Sequence, residues 1–268
     1  MAKEIKFINF VNESAESAVI EIFGTIGGWD WEEWKSKNTI EILSKELNRL
    51  KKLDTKEILV KINSYGGDAN HGLTIHDALK AHKANITTEI TGYCASAATI
   101  IFMAGSVRKM SKNALFLIHK CSSWVWGNEN ELEAELDSQR QTNEAMLNVY
   151  EAGCSKSRDE IKTLMNDFNG TGRWLLSDEV TDFGFCTEVF NDNTTAKAAF
   201  DKRAFTAFKL PELPEGFTAV EKEDEKLWIA KVFKQLNDYL KTQNQSINNQ
   251  KKENMQNLFV AFAALAFV

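Results

Sequence analysis

A serine hydroxyl attacks a carbonyl only when a base within hydrogen-bond reach can take its proton. The stretch from Gly92 to Lys120 (G-Y-C-A-S-A-A-T-I-I-F-M-A-G-S-V-R-K-M-S-K-N-A-L-F-L-I-H-K) supplies both groups. Ser96 falls where a strand gives way to a buried helix. Its neighbours Ala95, Ala97 and Ala98 are small enough to allow a strained turn that lifts the hydroxyl clear of the backbone. His119 closes the apolar strand A-L-F-L-I, which would hold its ring firmly. Upstream, Asn63-Ser64-Tyr65-Gly66-Gly67 forms a glycine loop whose backbone can approach closely and adopt unusual dihedrals. One of its N–H groups, with the free N–H groups of the helix after Ser96, can stabilise the oxyanion of a tetrahedral intermediate. Singly these features are ordinary: a serine among alanines is commonly a helix-packing position, and a Gly-Gly pair a turn. Their order and spacing point to acyl transfer. Cys94, two residues before Ser96, reads as a small core thiol rather than a nucleophile.

The elements needed to position these residues follow in order. Ser17–Gly24 reads as a strand, followed by a glycine-containing loop and three close tryptophans, Trp29, Trp31 and Trp34. Those tryptophans fit a lid over one end of the core or an association surface. Ile40, Leu43, Leu47 and Leu50 recur at helical spacing, with Asn38 and Glu41 placed as a capping pair and an end near Lys52. Ile58–Ile62 is a nearly continuous apolar strand of the kind covered on both faces. A helix from about 71 to 82 and a strand over 87–90 lead to Ser96. Strand, loop, helix, strand, turn, helix, strand is a βαβ succession, so the fold class expected is α/β. After His119 a long helix is predicted from Glu129 to Ala152. Its apolar stripe (Leu132, Leu136, Met146, Val149, Tyr150) is thin, as in a helix that projects or meets another subunit. Ser157 to Glu160 is a capping box, and Ser177 opens a further short helix.

The totals exclude several classes. The chain has 268 residues with 43% hydrophobic and 26% charged residues, ordinary for a globular protein. A net charge of −6 argues against a nucleic-acid partner. The four cysteines, Cys94, Cys121, Cys154 and Cys186, form no C-x-x-C pair, so free thiols in a reducing cytoplasm and no metal are expected. The N-terminus carries no apolar targeting segment.

The character changes near 195, which divides the chain into a domain over 1–194 and an extension over 195–268. Both prolines, Pro211 and Pro214, lie in the extension. Leu227, Ile229, Val232, Phe233, Leu236 and Leu240 predict one amphipathic helix. Gln243–Glu253 is a polar linker, and Leu258–Val268 is an apolar run too short to span a bilayer. No membrane partner is expected.

Four ordered segments resemble the Clp protease proteolytic-subunit family, the ClpP-like serine peptidases. K-I-N-S-Y-G-G-D-A-N-H-G resembles the family's I-N-S-P-G-G loop and following helix, with Tyr65 in place of the usual proline. G-Y-C-A-S-A-A resembles its nucleophile turn and N-A-L-F-L-I-H-K its histidine strand. R-W-L-L-S-D-E-V-T-D-F-G-F resembles the segment near the end of the family core, so the likeness covers about 17–190. It implies a ClpP/crotonase-like repeated core with a long handle helix over 129–152, and ring-type homo-oligomers. It implies Ser96 as nucleophile, His119 as base, the N–H groups of Gly67 and Ala97 as oxyanion hole, and no metal or cofactor. The position where the family carries its acidic third residue is Gly172. Asp167 and Asn169 are the nearest substitutes to orient His119. Asp167 is preferred because a carboxylate stabilises an imidazolium better than an amide; a Ser–His dyad is the alternative.

The extension makes the chain most like the ClpP-like head maturation proteases of tailed bacteriophages. That implies capsid and scaffold proteins as substrates and a location in the cytoplasm of a bacterial host, within the procapsid. The extension, which this likeness implies to be a scaffold-like segment, is then expected to be dispensable for hydrolysis and needed for incorporation into particles. Other readings are a cytoplasmic peptidase working with an ATP-dependent unfoldase, an acyl-CoA enzyme of the crotonase architecture, and a structural oligomer with a decayed site.

Overall fold

The structure is a computed structural model. It describes residues 8–11, 13–27, 29–30, 35–36, 40–191, 200–201, 210–214 and 219–220. The tryptophan-rich segment, the Asn38 cap, the helix expected over 227–240, the polar linker and the apolar end lie outside the described residues, apart from a short backbone ladder pairing Trp29–Asp30 with Lys35–Ser36.

One seven-stranded sheet organises the body. Its strands are β1 (Ile8–Val11), β2 (Ser17–Ile26), β3 (Glu57–Gly67), β4 (Asn85–Ala95), β5 (Val107–Ser111), β6 (Leu115–Leu117) and β7 (Glu188–Phe190). The order is β1-β2-β3-β4-β5-β7, with β6 paired to β4 beside that path. Only β1 runs antiparallel to its neighbour. The helices are α1 (Ile40–Lys52), α2 (Ala69–Lys80), α3 (Ala97–Phe102), α4 (Glu129–Gly153), α5 (Arg158–Met165) and α6 (Ser177–Asp182). The expected α/β class is therefore observed. None of the helices among the described residues is long and apolar enough to cross a membrane.

Strand β4 forks. Thr87–Ile90 pair with Val107–Met110 of β5, whereas Tyr93–Ala95 pair with Leu115–Leu117 of β6. The segment Val107–Ser111, whose apolar pattern Arg108 and Lys109 interrupt, is a strand with side chains pointing partly to solvent. Arg108 is one reason the interruption is tolerated. Its guanidinium donates to the carbonyls of Phe185 (2.6 Å), Gly153 (2.7 Å), Gly105 (3.1 Å) and Gly184 (3.1 Å), tying β5 to the end of α4 and to the turn after α6. Each buried carbonyl left without such a partner would cost about 1–3 kcal/mol.

The core lies between the sheet and α1–α5. Ile20, Ile22, Ile58, Val60, Ile62 and Ile90 alternate along β2, β3 and β4, and their side chains are buried. Phe102, Phe116, Phe185 and Tyr150 join α3, β6 and α4 through ring contacts between 5.4 and 5.9 Å. Full burial of such a side chain contributes about 1.5–3 kcal/mol. Helix α5 opens with the capping box expected at Ser157 and Glu160. Helix α4 buries Met146, Leu147 and Tyr150 near its end but leaves Leu132 and Leu136 exposed near its start.

A second, smaller apolar cluster comprises Tyr65, Tyr93, Ala95, Leu115, Leu117 and Trp174. Leu210 and Leu213, beyond the boundary expected near 195, pack against it.

Candidate active site

The carboxyl ends of parallel strands are where open α/β sheets place their ligands. Here β3 ends at Gly66-Gly67, β4 runs into Ser96, and the chain leaving β6 reaches His119. Ser96 takes φ 55° and ψ −129°. A side chain held there costs about 1–3 kcal/mol and persists only where its surroundings enforce it. Three contacts do so. The Ser96 N–H donates to the Leu117 carbonyl at 2.9 Å, and the Ser96 carbonyl accepts from the Thr99 N–H at 2.9 Å. Thr99 Oγ1 donates to that same carbonyl at 2.6 Å.

Thr99 also lies 2.7 Å from the Tyr150 hydroxyl. With its own proton on the Ser96 carbonyl, Thr99 must accept from Tyr150. A chain of two hydrogen bonds thus ties the nucleophile turn to α4. Burial pushes the Tyr150 phenol well above its ordinary pKa, so it remains a donor. In the sequence Tyr150 reads only as part of an apolar stripe; a threonine three residues after the candidate serine is the available signal for this link.

The glycine loop meets the turn at Gly66. A Cβ on Gly66 (φ +98°) would lie 2.6 Å from both the Ser96 Cβ and the Ala95 carbonyl, and 2.9 Å from the Ala97 nitrogen. No residue with a side chain fits. Gly66 donates its N–H to Ser64 Oγ at 3.1 Å. Gly67 (φ +143°) backs onto Ile26, where a Cβ would fall 2.0 Å from the carbonyl oxygen. The backbone of the glycine loop and the first N–H groups of α3, Ala97 leading, are therefore brought together beside Ser96. N–H groups in the first turn of a helix have no acceptor within it.

The fork in β4 brings the chain that bears His119 to the same edge of the sheet. Ala95 is in register with Leu117, so Ser96 and His119 leave neighbouring strands at the same edge of the sheet. His119 is 8% exposed, and its Nε2 has no hydrogen-bond partner among the described residues. Burial holds the imidazole below its ordinary pKa, opposed by a hydrogen bond with the backbone of Lys120. A neutral ring with a free nitrogen suits a base. Cys94 is fully buried and its thiol is pushed well up, so it stays protonated.

The structure does not bring Asp167 to His119. Its carboxylate pairs with Arg173 at 3.2 Å, and Arg173 also donates to Glu179 at 2.6 Å. The Asp167 carbonyl accepts the Gly172 N–H at 2.9 Å. Phe168, Asn169, Gly170 and Gly172 all have positive φ, so the segment curls tightly around the chain at 118–120. Gly172 is the residue that touches the histidine: a Cβ there would lie 2.9 Å from the His119 Cβ and 2.3 Å from the Ile118 carbonyl. The segment thus approaches His119 without presenting a carboxylate.

Immediately beyond His119 opens a cavity of about 720 Å³. Lys120, Cys121, Gln139, Asn143, Leu147 and Met165 are among the residues lining it, between α4 and α5. Among the described residues, no group of three or more His, Cys, Asp or Glu side chains is placed to hold a metal.

The family model for Clp protease matches residues 32–193. The chain belongs to the Clp protease family. The ATP-dependent Clp protease proteolytic subunit of Streptococcus equi subsp. equi is 26% identical over 148 residues, 53% of this chain and 73% of that protein. The subunit of the same name from Streptococcus agalactiae is 25% identical over 144 residues, 52% and 71% of the two chains. Among solved structures, a mutant of ClpP1 from Listeria monocytogenes aligns with a TM-score of 0.53 and 26% identity, covering 65% of this chain and 92% of that one. Membership in this family makes the chain a peptidase by descent, and the site above lies inside the matched region.

Two outcomes follow. Because burial lowers the His119 pKa, the base remains unprotonated below the ordinary histidine value of about 6.5. The acid limb of a kcat/KM profile is expected to have its midpoint below that value; a midpoint above it would contradict the assignment. Restoring an acid by Gly172→Asp is expected to lower stability by about 2 kcal/mol or more, since φ is +75° and the Cβ collides with the Ile118 carbonyl. Thermal denaturation measures the loss, and peptide turnover is expected not to exceed that of the wild type.

Proposed function

We propose that the chain is a serine endopeptidase working through a Ser96–His119 dyad. The observation that carries this reading is that Ser96, in a strained turn, and His119, buried with its pKa lowered and its Nε2 unpartnered among the described residues, leave neighbouring strands at the same edge of the sheet. In the proposed mechanism, His119 takes the Ser96 proton as the hydroxyl attacks the scissile carbonyl. The N–H groups of Gly67 and Ala97 hold the oxyanion, and His119 then returns the proton to the leaving amine. Water repeats the sequence to release the acyl group. Asp167 acts at one remove in this scheme. Through Arg173 it shapes the turn that packs Gly172 against His119, in place of the direct carboxylate contact expected from the resemblance.

The substrates proposed are capsid and scaffold proteins of a tailed phage, processed within the procapsid in a bacterial host cytoplasm. Support comes from the sequence after 193, where the family match ends and the polar linker and apolar run follow. A homo-oligomer, ring-type as in the family, is also proposed. The exposed Trp124 (66%) and Trp126 (86%), with Leu132 and Leu136 along the start of α4, supply an apolar surface for a second copy. A second reading, a peptidase fed by an ATP-dependent unfoldase, is favoured by the names of the relatives.

The test is co-expression of the wild type or Ser96→Ala with the neighbouring capsid and scaffold genes, reading fragments by intact mass. Cleavage that depends on Ser96 is expected. Absence of cleavage of capsid, scaffold and the chain's own extension in both forms would overturn the maturation reading.

A further inference from the structure

The second apolar cluster is built from residues that flank the candidate site in the chain. Tyr65 precedes Gly66, Ala95 precedes Ser96, and Trp174 follows Gly172 by two residues. Along β6, Phe116 and Ile118 point into the main core, whereas Leu115 and Leu117 belong to this cluster. The period of an extended chain therefore puts His119 on the cluster's side. The Tyr65 and Tyr93 rings stack at 4.4 Å, and their hydroxyls lie 2.7 Å apart. This plate joins the glycine loop to the strand that carries Ser96.

The plate is covered by the chain's own extension. Leu210 and Leu213 pack on it, and the Trp174 indole donates to the Pro211 carbonyl at 3.1 Å. The sequence L-P-E-L-P suits this task. Each leucine precedes a proline, which favours extended backbone and removes alternate conformers before docking. An extended chain of three residues per turn sets Leu210 and Leu213 on one face and Glu212 on another. Glu212 is indeed exposed while both leucines are half-buried.

We propose that residues 210–214 are a positioning strap for catalysis. By covering the Tyr65–Tyr93–Trp174 plate they fix the glycine loop and the nucleophile turn relative to each other. The proposal rests on the serine-peptidase reading for its effect on turnover. It revises the expectation that everything beyond 195 is dispensable for hydrolysis. The functional body extends at least to Pro214 in this reading.

The test uses the full chain carrying Leu210→Ser and Leu213→Ser, with Trp174→Phe as a second variant that keeps an aromatic ring but loses the indole donor. Peptide hydrolysis and hydrogen exchange are measured well below the thermal midpoint. The strap predicts that kcat falls about tenfold in the double variant while KM stays within about twofold, because a slight misplacement of reacting groups is costly. Amide exchange should speed up at residues 65–67 and 93–97, with α1 and α5 unchanged. A synthetic peptide spanning residues 205–220, added in trans, should restore part of the lost turnover. Trp174→Phe should shift kcat and exchange in the same direction, by less. Unchanged kcat with unchanged exchange at these amides, or a rise in kcat, would overturn the strap. If even the wild type hydrolyses no peptide, the peptidase reading fails, and the exchange pattern alone still decides whether the strap braces the two loops.

Discussion

The approach of Gly66 to the Ser96 turn is the constraint on which the rest of the site depends. Two backbones meet there with no room for a Cβ between them. That contact exists only because β3 and β4 are adjacent parallel strands ending at the same edge, and because both carry irregularities near that edge. The register between β3 and β4 shifts between Ile62 and Ser64, and that between β2 and β3 between Phe23 and Thr25. The sheet thus stops being regular where the chemistry begins. The fork of β4 onto β6 completes the arrangement by bringing the chain that bears His119 alongside.

Much of this was legible in the sequence, for identifiable reasons. The βαβ succession could be read because β2 and β3 are largely apolar, β4 carries β-branched residues (Ile86, Thr87, Thr88, Ile90), and helical periodicity lies between them. Ser96, His119 and the glycine loop could be read because each terminates such a stretch with a residue type the element itself does not require. Val107–Ser111 was illegible as a strand: Arg108 and Lys109 break its pattern, and three of the four carbonyls that satisfy Arg108 lie 45 to 77 residues away in sequence. The hydrogen bonds from Tyr150 through Thr99 were hidden for a similar reason, since 51 residues separate the two hydroxyls.

Asp167 illustrates the limit of reading by proximity in sequence. It stands five residues before Gly172, and four residues of positive φ in this stretch turn its carboxylate to Arg173 instead of His119. The docking of Leu210 and Leu213 shows the same limit in the other direction. A change of composition near 195 looked like a boundary, yet Leu210 and Leu213 beyond it pack on the body. The sequence there, two leucines three apart and each before a proline, contained the docking face; its destination on Trp174 depended on tertiary structure.

The central claim is that Ser96 is a nucleophile activated by His119. The most direct measurement is intact and peptide-level mass spectrometry after incubation with a fluorophosphonate, on the wild type and on His119→Ala. The account predicts a single adduct, located on Ser96, that forms at least about a hundredfold more slowly without the histidine. An adduct on another residue, or labelling of Ser96 at an equal rate in both proteins, would contradict it.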